Sequence, residues 1–220
     1  MVQSSQSPIA LLSDHRALRR LIEARLHDSQ PAASHHDALP AGIAADMEPA
    51  LRKYFPPSPA AAAVLIPIVD HEDGLTVLFT QRAAHMRHHA GQISFPGGRM
   101  EPTDAGPLAA ALRETEEEIG LSREHVTFAG YLDPHLALSG YWITPVIGFV
   151  RPGFALTLDA REVDSAFEVP LTHILDAANH RSRERRIGEM AVQVYDIPFG
   201  DRNIWGVTAG ILMALYRLLR

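Results

Sequence analysis

Three glutamates, Glu114, Glu117 and Glu118, have the type and spacing needed to hold a divalent cation. They lie in the stretch ALRETEEEIGL at positions 111–121. Because a helix turns about 100° per residue, the three side chains fall on one side of it. Like charges at this spacing destabilise a bare helix by about a few tenths of a kcal/mol per pair, so a cation among them is an attractive explanation. A site built only from carboxylate oxygens suits Mg²⁺ or Mn²⁺. The alternative is a solvated acidic face.

A second set of polar residues lies upstream, in the stretch 78–98. Arg82 and Arg87 stand five residues apart and can form a positive cradle for phosphate beside an acidic metal site. Gly97 and Gly98 allow the backbone to approach phosphates closely. One alternative is that the arginines are solvated or paired with the helix acids. Another is a metal site on the loop histidines, which the absence of carboxylates in this loop disfavours; those histidines are His85, His88 and His89.

The apolar pattern predicts the elements that must position these residues. A helix is predicted over 107–119, with its core stripe on Leu108, Leu112, Thr115 and Ile119 and the three glutamates on the opposite side. A hairpin is predicted from strands 63–69 and 75–82 around the turn HEDG. Further strands are predicted near 126–132, 143–150 and 190–195, a short helix over 169–177 after an EVP turn, and a closing helix over 205–219. Strands interleaved with helices indicate the α/β class.

The first sixty residues form a different kind of segment. A helix is predicted over 9–26, from Leu18, Leu21, Ile22 and Leu26, with Ser13 as its cap. The stretch 29–63 is rich in Ala, Pro and His and is predicted to be a loop with one short helix over 47–54. We therefore expect an N-terminal helical extension with a Pro/Ala-rich loop at 1–60, followed by a single domain at 61–220.

Composition narrows the choice of function. The 220 residues are 46% hydrophobic and 21% charged, as in globular proteins, and the absence of cysteine excludes disulfides and thiolate chemistry. The net charge of −6 does not mark the whole surface as a nucleic-acid binder, although it leaves a local basic patch open. No apolar run has the roughly 18–20 residues of a membrane span, and no secretory signal is recognised. We expect a cytoplasmic protein with a small-molecule substrate and neither a nucleic-acid nor a membrane partner.

The acidic helix and the glycine before it resemble the signature of Nudix hydrolases, G-x5-E-x7-R-E-U-x-E-E-x-G-U, where U is aliphatic. Arg113, Glu114, Glu117, Glu118 and Gly120 occupy the fixed positions of its second half. Two departures are visible. Thr115 fills the first aliphatic position, and the first glutamate, counted back from Arg113, falls on Ala105, with Asp104 beside it.

The upstream stretch LFTQRAAHMRHHAGQISFPGG resembles the additional signature of the coenzyme A pyrophosphatases within this family, LLTxR(S/A)xxxRxxxGxxxFPGG. Two signatures in tandem are far more specific than either one. The resemblance covers about residues 60–215.

This resemblance implies a Nudix-type α/β/α sandwich with a mixed sheet and metal-dependent hydrolysis of a diphosphate. Glu114 and Glu118 would bind the principal metal, Glu117 would share a second one, and Arg113 would orient these glutamates. A carboxylate outside the signature often completes such a site, and Glu162 is the candidate here, with Glu168 a weaker competitor. Glu162 as a solvated loop acid is the alternative reading.

The implied substrate is coenzyme A or an acyl-coenzyme A, cleaved to 3′,5′-ADP and (acyl-)4′-phosphopantetheine. Two alternatives stay open: another substrate such as ADP-ribose, NADH or a dinucleoside polyphosphate, and a non-catalytic domain that only binds nucleotides. The sequence does not choose between Mg²⁺ and Mn²⁺, and it does not give the oligomeric state, for which a homodimer is one option.

Overall fold

A mixed β-sheet forms the centre of the protein. The computed structural model describes residues 14–32, 54–56, 58–86, 89–187 and 189–220, and eight strands of this sheet lie among them. The strands are β1 (Ala60–His71), β2 (Gly74–Arg82), β3 (Ile93–Ser94), β4 (Gly97–Arg99), β5 (Val126–Tyr131), β6 (His135–Leu136), β7 (Tyr141–Val150) and β8 (Val163–Pro170). Their order is β3-β2-β1-β7-β5, with β4 beside β1, β6 beside β7 and β8 beside β2. β1 and β7 run parallel, whereas the other pairs are antiparallel.

The predicted hairpin is confirmed. β1 and β2 pair in the register Ile68↔Val77 and are joined at the turn Glu72-Asp73. Leu65, Ile66 and Ile68 are all fully buried, so the centre of β1 is covered on both faces. A continuous apolar run of this kind is typical of a strand that has layers on both sides.

Helices cover the two faces of the sheet. They are α1 (His15–Leu26), α2 (Pro107–Ile119), α3 (Leu171–Leu175) and α4 (Gly206–Leu218), with short 3-10 helices at Arg123–His125 and Ala177–Asn179. On one face, α1 and α4 share a core with Ile66, Ile68 and Phe79. On the other, α2 packs against Leu65 and its strand neighbours. Because successive strand residues point to opposite faces, this division gives an α/β/α sandwich, as predicted.

The helix α1 belongs to the core of the described structure. Leu18, Ile22 and Leu26 are buried against the sheet. Asp14 caps the helix by accepting a hydrogen bond of 3.0 Å from the Ala17 amide, while the predicted cap, Ser13, lies outside the described residues. The predicted helix at 47–54 also lies outside them, except for Tyr54 in a turn.

Six of the described strands were not predicted: β3, β4, β6 and β8 of the central sheet, and two strands of a second, smaller sheet. The segment read as an EVP turn is the end of β8, so the short helix begins only at Leu171. A small antiparallel sheet contains β9 (Arg181–Ile187), β10 (Met190–Phe199) and β11 (Arg202–Trp205), of which only the middle strand was predicted. The sequence RSRERRI of β9 is nearly all polar and shows no apolar alternation, so its strand conformation follows from pairing with β10 rather than from its own pattern.

Candidate active site

The helix α2 is held in place by a proline at its start and a glycine at its end. Pro107 lies in the first turn, and Gly120 ends the helix with φ +69°, donating its amide hydrogen to the Glu116 carbonyl over 3.0 Å. A left-handed residue at this position favours glycine. The buried face is made by Ala110, Ala111, Thr115, Glu118 and Ile119. Thr115 and Ile119 are buried as predicted, whereas Leu108 and Leu112 are only partly buried at the edge of the core.

Glu118 corrects the prediction that all three glutamates face away from the core. Its side chain is only 6% exposed and accepts a hydrogen bond of 3.1 Å from the Gly97 amide. Arg82 lies close, with its Nη1 atom 3.7 Å from Glu118 Oε1. The prediction was wrong because α2 lies against β4, whose glycines leave room for a carboxylate on a face that helix periodicity alone assigns to solvent.

Glu114 lies directly on the backbone of Gly98. A Cβ atom placed on Gly98 would stand 2.5 Å from a carboxylate oxygen of Glu114. No side chain larger than hydrogen fits at this position unless Glu114 moves. Glu117, in contrast, is 60% exposed. The strand β4 therefore supports two carboxylates of α2, through Gly97 and Gly98, while the third extends into solvent.

The electrostatics of this cluster are unfavourable for charged carboxylates. The pKa of Glu118 is raised to about 7, chiefly by burial and also by the negative charges of Glu162 and Glu114, against the opposing effects of Gly97 and Arg82. Burial also raises the pKa of Glu114, partly opposed by Arg113. Desolvation and mutual repulsion both disfavour the ionised forms. A positive charge placed among these groups would relieve both effects.

Arg113 connects the acidic helix to the preceding loop. Its Nε and Nη2 atoms donate to the two oxygens of Asp104 at 3.1 and 3.0 Å, and Nη2 also donates to the Arg99 carbonyl at 3.2 Å. Its Nη1 atom donates to Glu114 at 3.0 Å and to Glu117 at 3.1 Å. The Asp104 side chain is 5% exposed, and its hydrogen bonds with Arg113 lower its pKa.

Asp104 is the site residue whose signal in the sequence is only indirect. Counting back from Arg113 leads to Ala105, whereas counting six residues forward from Gly98 leads to Asp104. The loop before α2 is one residue longer than the general signature. Counting forward from Gly98 therefore identifies the carboxylate that pairs with Arg113, whereas counting back from Arg113 misses it by one residue.

Glu162 reaches the cluster from another element. It directly precedes β8, where Val163 pairs with Arg82, and its carbonyl accepts a hydrogen bond of 2.7 Å from the Ala83 amide. Its charge acts on both Glu114 and Glu118. Glu168 lies further along β8, where it contacts His71 at 2.6 Å and accepts from Thr76. The structure thus brings Glu162, and not Glu168, to the acidic helix.

The predicted binding loop is only partly described. Arg82 is 23% exposed and forms the contact with Glu118 that the ion-pair alternative anticipated. Arg87 and His88 lie outside the described residues. His89 contacts the Gln92 side chain at 2.8 Å.

Across residues 14–32, 54–56, 58–86, 89–187 and 189–220, no group of three His, Asp or Glu side chains is already arranged to hold a metal ion. Likewise, none of the helices in these ranges is long and apolar enough to span a bilayer.

The chain is similar to one known domain family and to several known proteins. The model of the NUDIX domain matches residues 59–189, more than half of the chain. The protein called "Uncharacterized Nudix hydrolase NudL" from Escherichia coli K12 is 40% identical over 155 residues, which are 70% of this chain and 80% of that protein. Its namesake from Shigella boydii is 41% identical over the same shares.

Solved structures with a similar backbone include a C. elegans Ap4A hydrolase binary complex, with TM-score 0.42 and 21% identity over 51% of this chain and 80% of that one. The NUDIX domain of Shewanella oneidensis NrtR, complexed with ADP ribose, has TM-score 0.42 and 20% identity over 62% and 86% of the two chains.

Proposed function

This chain belongs to the NUDIX family and is a Nudix hydrolase, a pyrophosphohydrolase that acts on a nucleoside diphosphate derivative; from that premise we propose that its substrate is coenzyme A or an acyl-coenzyme A. Cleavage of the diphosphate yields 3′,5′-ADP and 4′-phosphopantetheine, or its acyl form. Residues 78–98, which resemble the coenzyme A signature, carry this choice of substrate.

The position of that segment supports the proposal. It begins on β2, which ends at Arg82, 3.7 Å from Glu118. It closes on β4, where Gly97 donates to Glu118 and Gly98 lies against Glu114. Arg82 near the start of the segment and Gly97 and Gly98 at its end therefore contact the carboxylates of the acidic helix. A substrate bound by the loop between them would present its diphosphate to the carboxylates.

A divalent cation fits the donor atoms of this cluster. Nudix hydrolases use such ions, and we propose Mg²⁺ or Mn²⁺, held by Glu114 and Glu118 with Glu117 as a further ligand. The raised pKa values of Glu114 and Glu118 support this choice, because a bound cation offsets both desolvation and repulsion. When bound, it neutralises diphosphate charge and acidifies a water molecule.

We assign the role of proton acceptor to Glu162. Its side chain is exposed to solvent, and its charge acts on Glu114 and Glu118. As the oxygen of water bonds to phosphorus, the bond from that phosphorus to the bridging oxygen breaks, and a water proton passes to the carboxylate. One of the helix glutamates is the alternative acceptor.

Product identification by mass after incubation with coenzyme A and Mg²⁺ or Mn²⁺ tests the substrate. Equal concentrations of ADP-ribose, NADH and a dinucleoside polyphosphate serve as competitors. Formation of 3′,5′-ADP at the highest kcat/KM of the set supports the proposal. Faster turnover of any competitor contradicts coenzyme A as the substrate but not the assignment of the chain as a Nudix hydrolase.

The two arginines provide a second test, through the 3′-phosphate of coenzyme A. A charge-assisted hydrogen bond contributes about 1.5–3 kcal/mol, so Arg87→Ala should lower kcat/KM for coenzyme A by about 10- to 150-fold. Dephospho-coenzyme A lacks this phosphate and should be much less affected. Arg82→Ala is the comparison variant, and we expect it to discriminate less because Arg82 is tied to Glu118. Equal losses on both substrates would assign Arg87 to the diphosphate or to the loop.

Several broader expectations remain predictions. They are a cytoplasmic location, a homodimer as one option for the oligomeric state, and a boundary near residue 60 between the N-terminal extension and the catalytic domain. The burial of Ile22 against the sheet indicates that the described part of the extension contributes to the stability of the domain.

A further inference from the structure

Positive charge is concentrated at the C-terminal end of an acidic protein. Residues 181–220 contain seven arginines and four acids, a net charge of +3, whereas the whole chain carries −6. Four of these arginines belong to the single strand β9, at positions 181, 183, 185 and 186. Such asymmetry within a chain indicates an anionic partner for the basic part. The expectation of no nucleic-acid partner came from the charge averaged over the chain, and this strand departs from that average.

Three of the arginines share one face of the small sheet, which we call the arginine face. Residues 181, 183 and 185 alternate along β9 and therefore point to the same side, about 6.6 Å apart. In register, Arg181 lies opposite Asp196, and Asp196 lies opposite Trp205 on β11. The opposite face of the sheet carries Ile197 and Ile204, which are fully buried in the core. The arginine face is thus directed away from the core.

An aromatic ring lies between the arginines. The guanidinium carbons of Arg183 and Arg185 stand 5.6 and 5.5 Å from the ring centre of Trp205, within the range of cation–π contacts. Trp205 is itself only partly buried. Arg183 is fixed further by Asp196, which accepts from its Nε atom at 2.7 Å and from Asn203 at 3.0 Å. One arginine is therefore neutralised and oriented.

Arg181 and Arg185 remain available to bind a ligand. Both are exposed, and within the described part of the chain neither forms an ion pair. Among the described strands, β9 pairs only with β10, so its outer edge is open along its length. A row of cations on an open edge, with an indole ring beside it, differs from a pocket for one small anion. It matches the combination of basic track and stacking platform used to bind single-stranded nucleic acids.

We propose that the arginine face binds a single-stranded nucleic acid. The phosphates pair with Arg181 and Arg185, while a base stacks on the layer formed by Arg183 and Trp205. This surface is distinct from the carboxylate cluster, and its function does not depend on which diphosphate the enzyme hydrolyses.

Fluorescence anisotropy with a short labelled oligouridylate and its deoxy counterpart tests the proposal on the full chain. The variant Arg181→Gln/Arg185→Gln removes two phosphate contacts but leaves the Arg183–Asp196 pair intact. At about 0.7 salt-slope units per contact on a single strand, the slope should fall by about 1.4, which corresponds to about 25-fold weaker binding at about 0.1 M salt. The matched control is Arg16→Gln/Arg20→Gln, two exposed arginines on α1, which should change binding by less than about threefold.

A third variant, Trp205→Phe, tests the stacking contact. It should weaken binding because the smaller ring offers less stacking surface, and the fluorescence quenching of the wild-type protein by oligonucleotide should largely disappear. Equal affinity for the two oligonucleotides assigns the contacts to phosphates and bases, whereas preference for the ribose form identifies RNA.

Three results would overturn the proposal: no binding at low salt, equal losses in the β9 variant and the α1 control, or binding of anionic lipid vesicles with no binding of oligonucleotide. Diphosphate hydrolysis is measured in parallel. The β9 variant should retain wild-type turnover, so failure of nucleic-acid binding is distinguishable from failure of the proposed enzymatic function.

Discussion

Replacing Glu118 with glutamine should stabilise the metal-free protein while removing most of its activity. The pKa of Glu118 is raised from its ordinary value of 4.5 to about 7 in the folded chain, chiefly by burial. Well below pH 4.5 the Glu118 carboxyl is protonated in both the folded and the unfolded protein, so it does not change the stability of the fold. As the pH rises, the unfolded state ionises first, so stability is lost progressively between about pH 4.5 and pH 7 and the loss is complete above that range.

The size of the effect follows from the pKa shift. At about 1.4 kcal/mol per pKa unit, the raised pKa of Glu118 destabilises the fold by about 3 kcal/mol at pH 8 and by about 1 kcal/mol at pH 5.5, where the folded carboxyl is still largely protonated. Glutamine keeps an oxygen for the Gly97 amide and carries no charge. The stability gained by Glu118→Gln should therefore be about 2 kcal/mol larger at pH 8 than at pH 5.5. For a chain of 220 residues this difference equals about 4–8 °C in Tm.

Thermal unfolding in the presence of a chelator, at pH 5.5 and at pH 8, measures the stability gained by Glu118→Gln. Glu117→Gln is the matched control, because it removes the same charge from a side chain that is 60% exposed and should shift Tm by only about 2 °C. With saturating Mg²⁺ or Mn²⁺ the wild type should have a higher Tm than Glu118→Gln, since binding of the cation stabilises the wild type more than the variant. Turnover should fall by about 10²-fold or more. An equal gain in Tm at both pH values, or a loss at pH 8, would refute the reasoning from burial and repulsion.

Three further changes test the supports of the site. Asp104→Asn replaces a bidentate ion pair with Arg113 by a single neutral contact, and we expect kcat to fall by about tenfold in steady-state assays while circular dichroism stays unchanged; an unchanged kcat would show that Arg113 is held without Asp104. Gly97→Ala should lower Tm by about 5 °C or more, because its Cβ would meet the Ala63 carbonyl at 2.4 Å, and the control Gly153→Ala, with positive φ but open space, should lose less. Ile22→Ala should cost about 2–5 kcal/mol in denaturant unfolding, and a cost below about 1 kcal/mol would contradict the packing of α1 on the domain.

The elements that carry the acidic cluster could be predicted because their signals are local. Helix α2 runs from Pro107 to Ile119, as its apolar spacing and flanking glycines indicate. The β1–β2 hairpin follows from two apolar runs around a polar turn. In both cases the residues that specify the element are neighbours in the chain, so periodicity and turn chemistry are sufficient.

The environment of each carboxylate could not be read from spacing. Helix periodicity placed Glu118 on the solvent side, but packing against β4 buries it on the Gly97 amide. The match between Asp104 and Arg113 depends on the path of the loop between Gly98 and α2. These are contacts across the fold, and a one-dimensional pattern does not contain the distances that decide them.

The small sheet shows the same difference between local sequence signals and contacts made across the fold. The sequence of β9 contains its arginines but no strand pattern, and its conformation comes from hydrogen bonds to β10. Residue types and spacing by themselves determined the family signature, the acidic helix and the central hairpin. Only the tertiary structure decided which carboxylate is desolvated, which loop acid holds Arg113 and which arginines face the same side as Trp205, because burial and pairing are set by segments that are distant in the chain and adjacent in space.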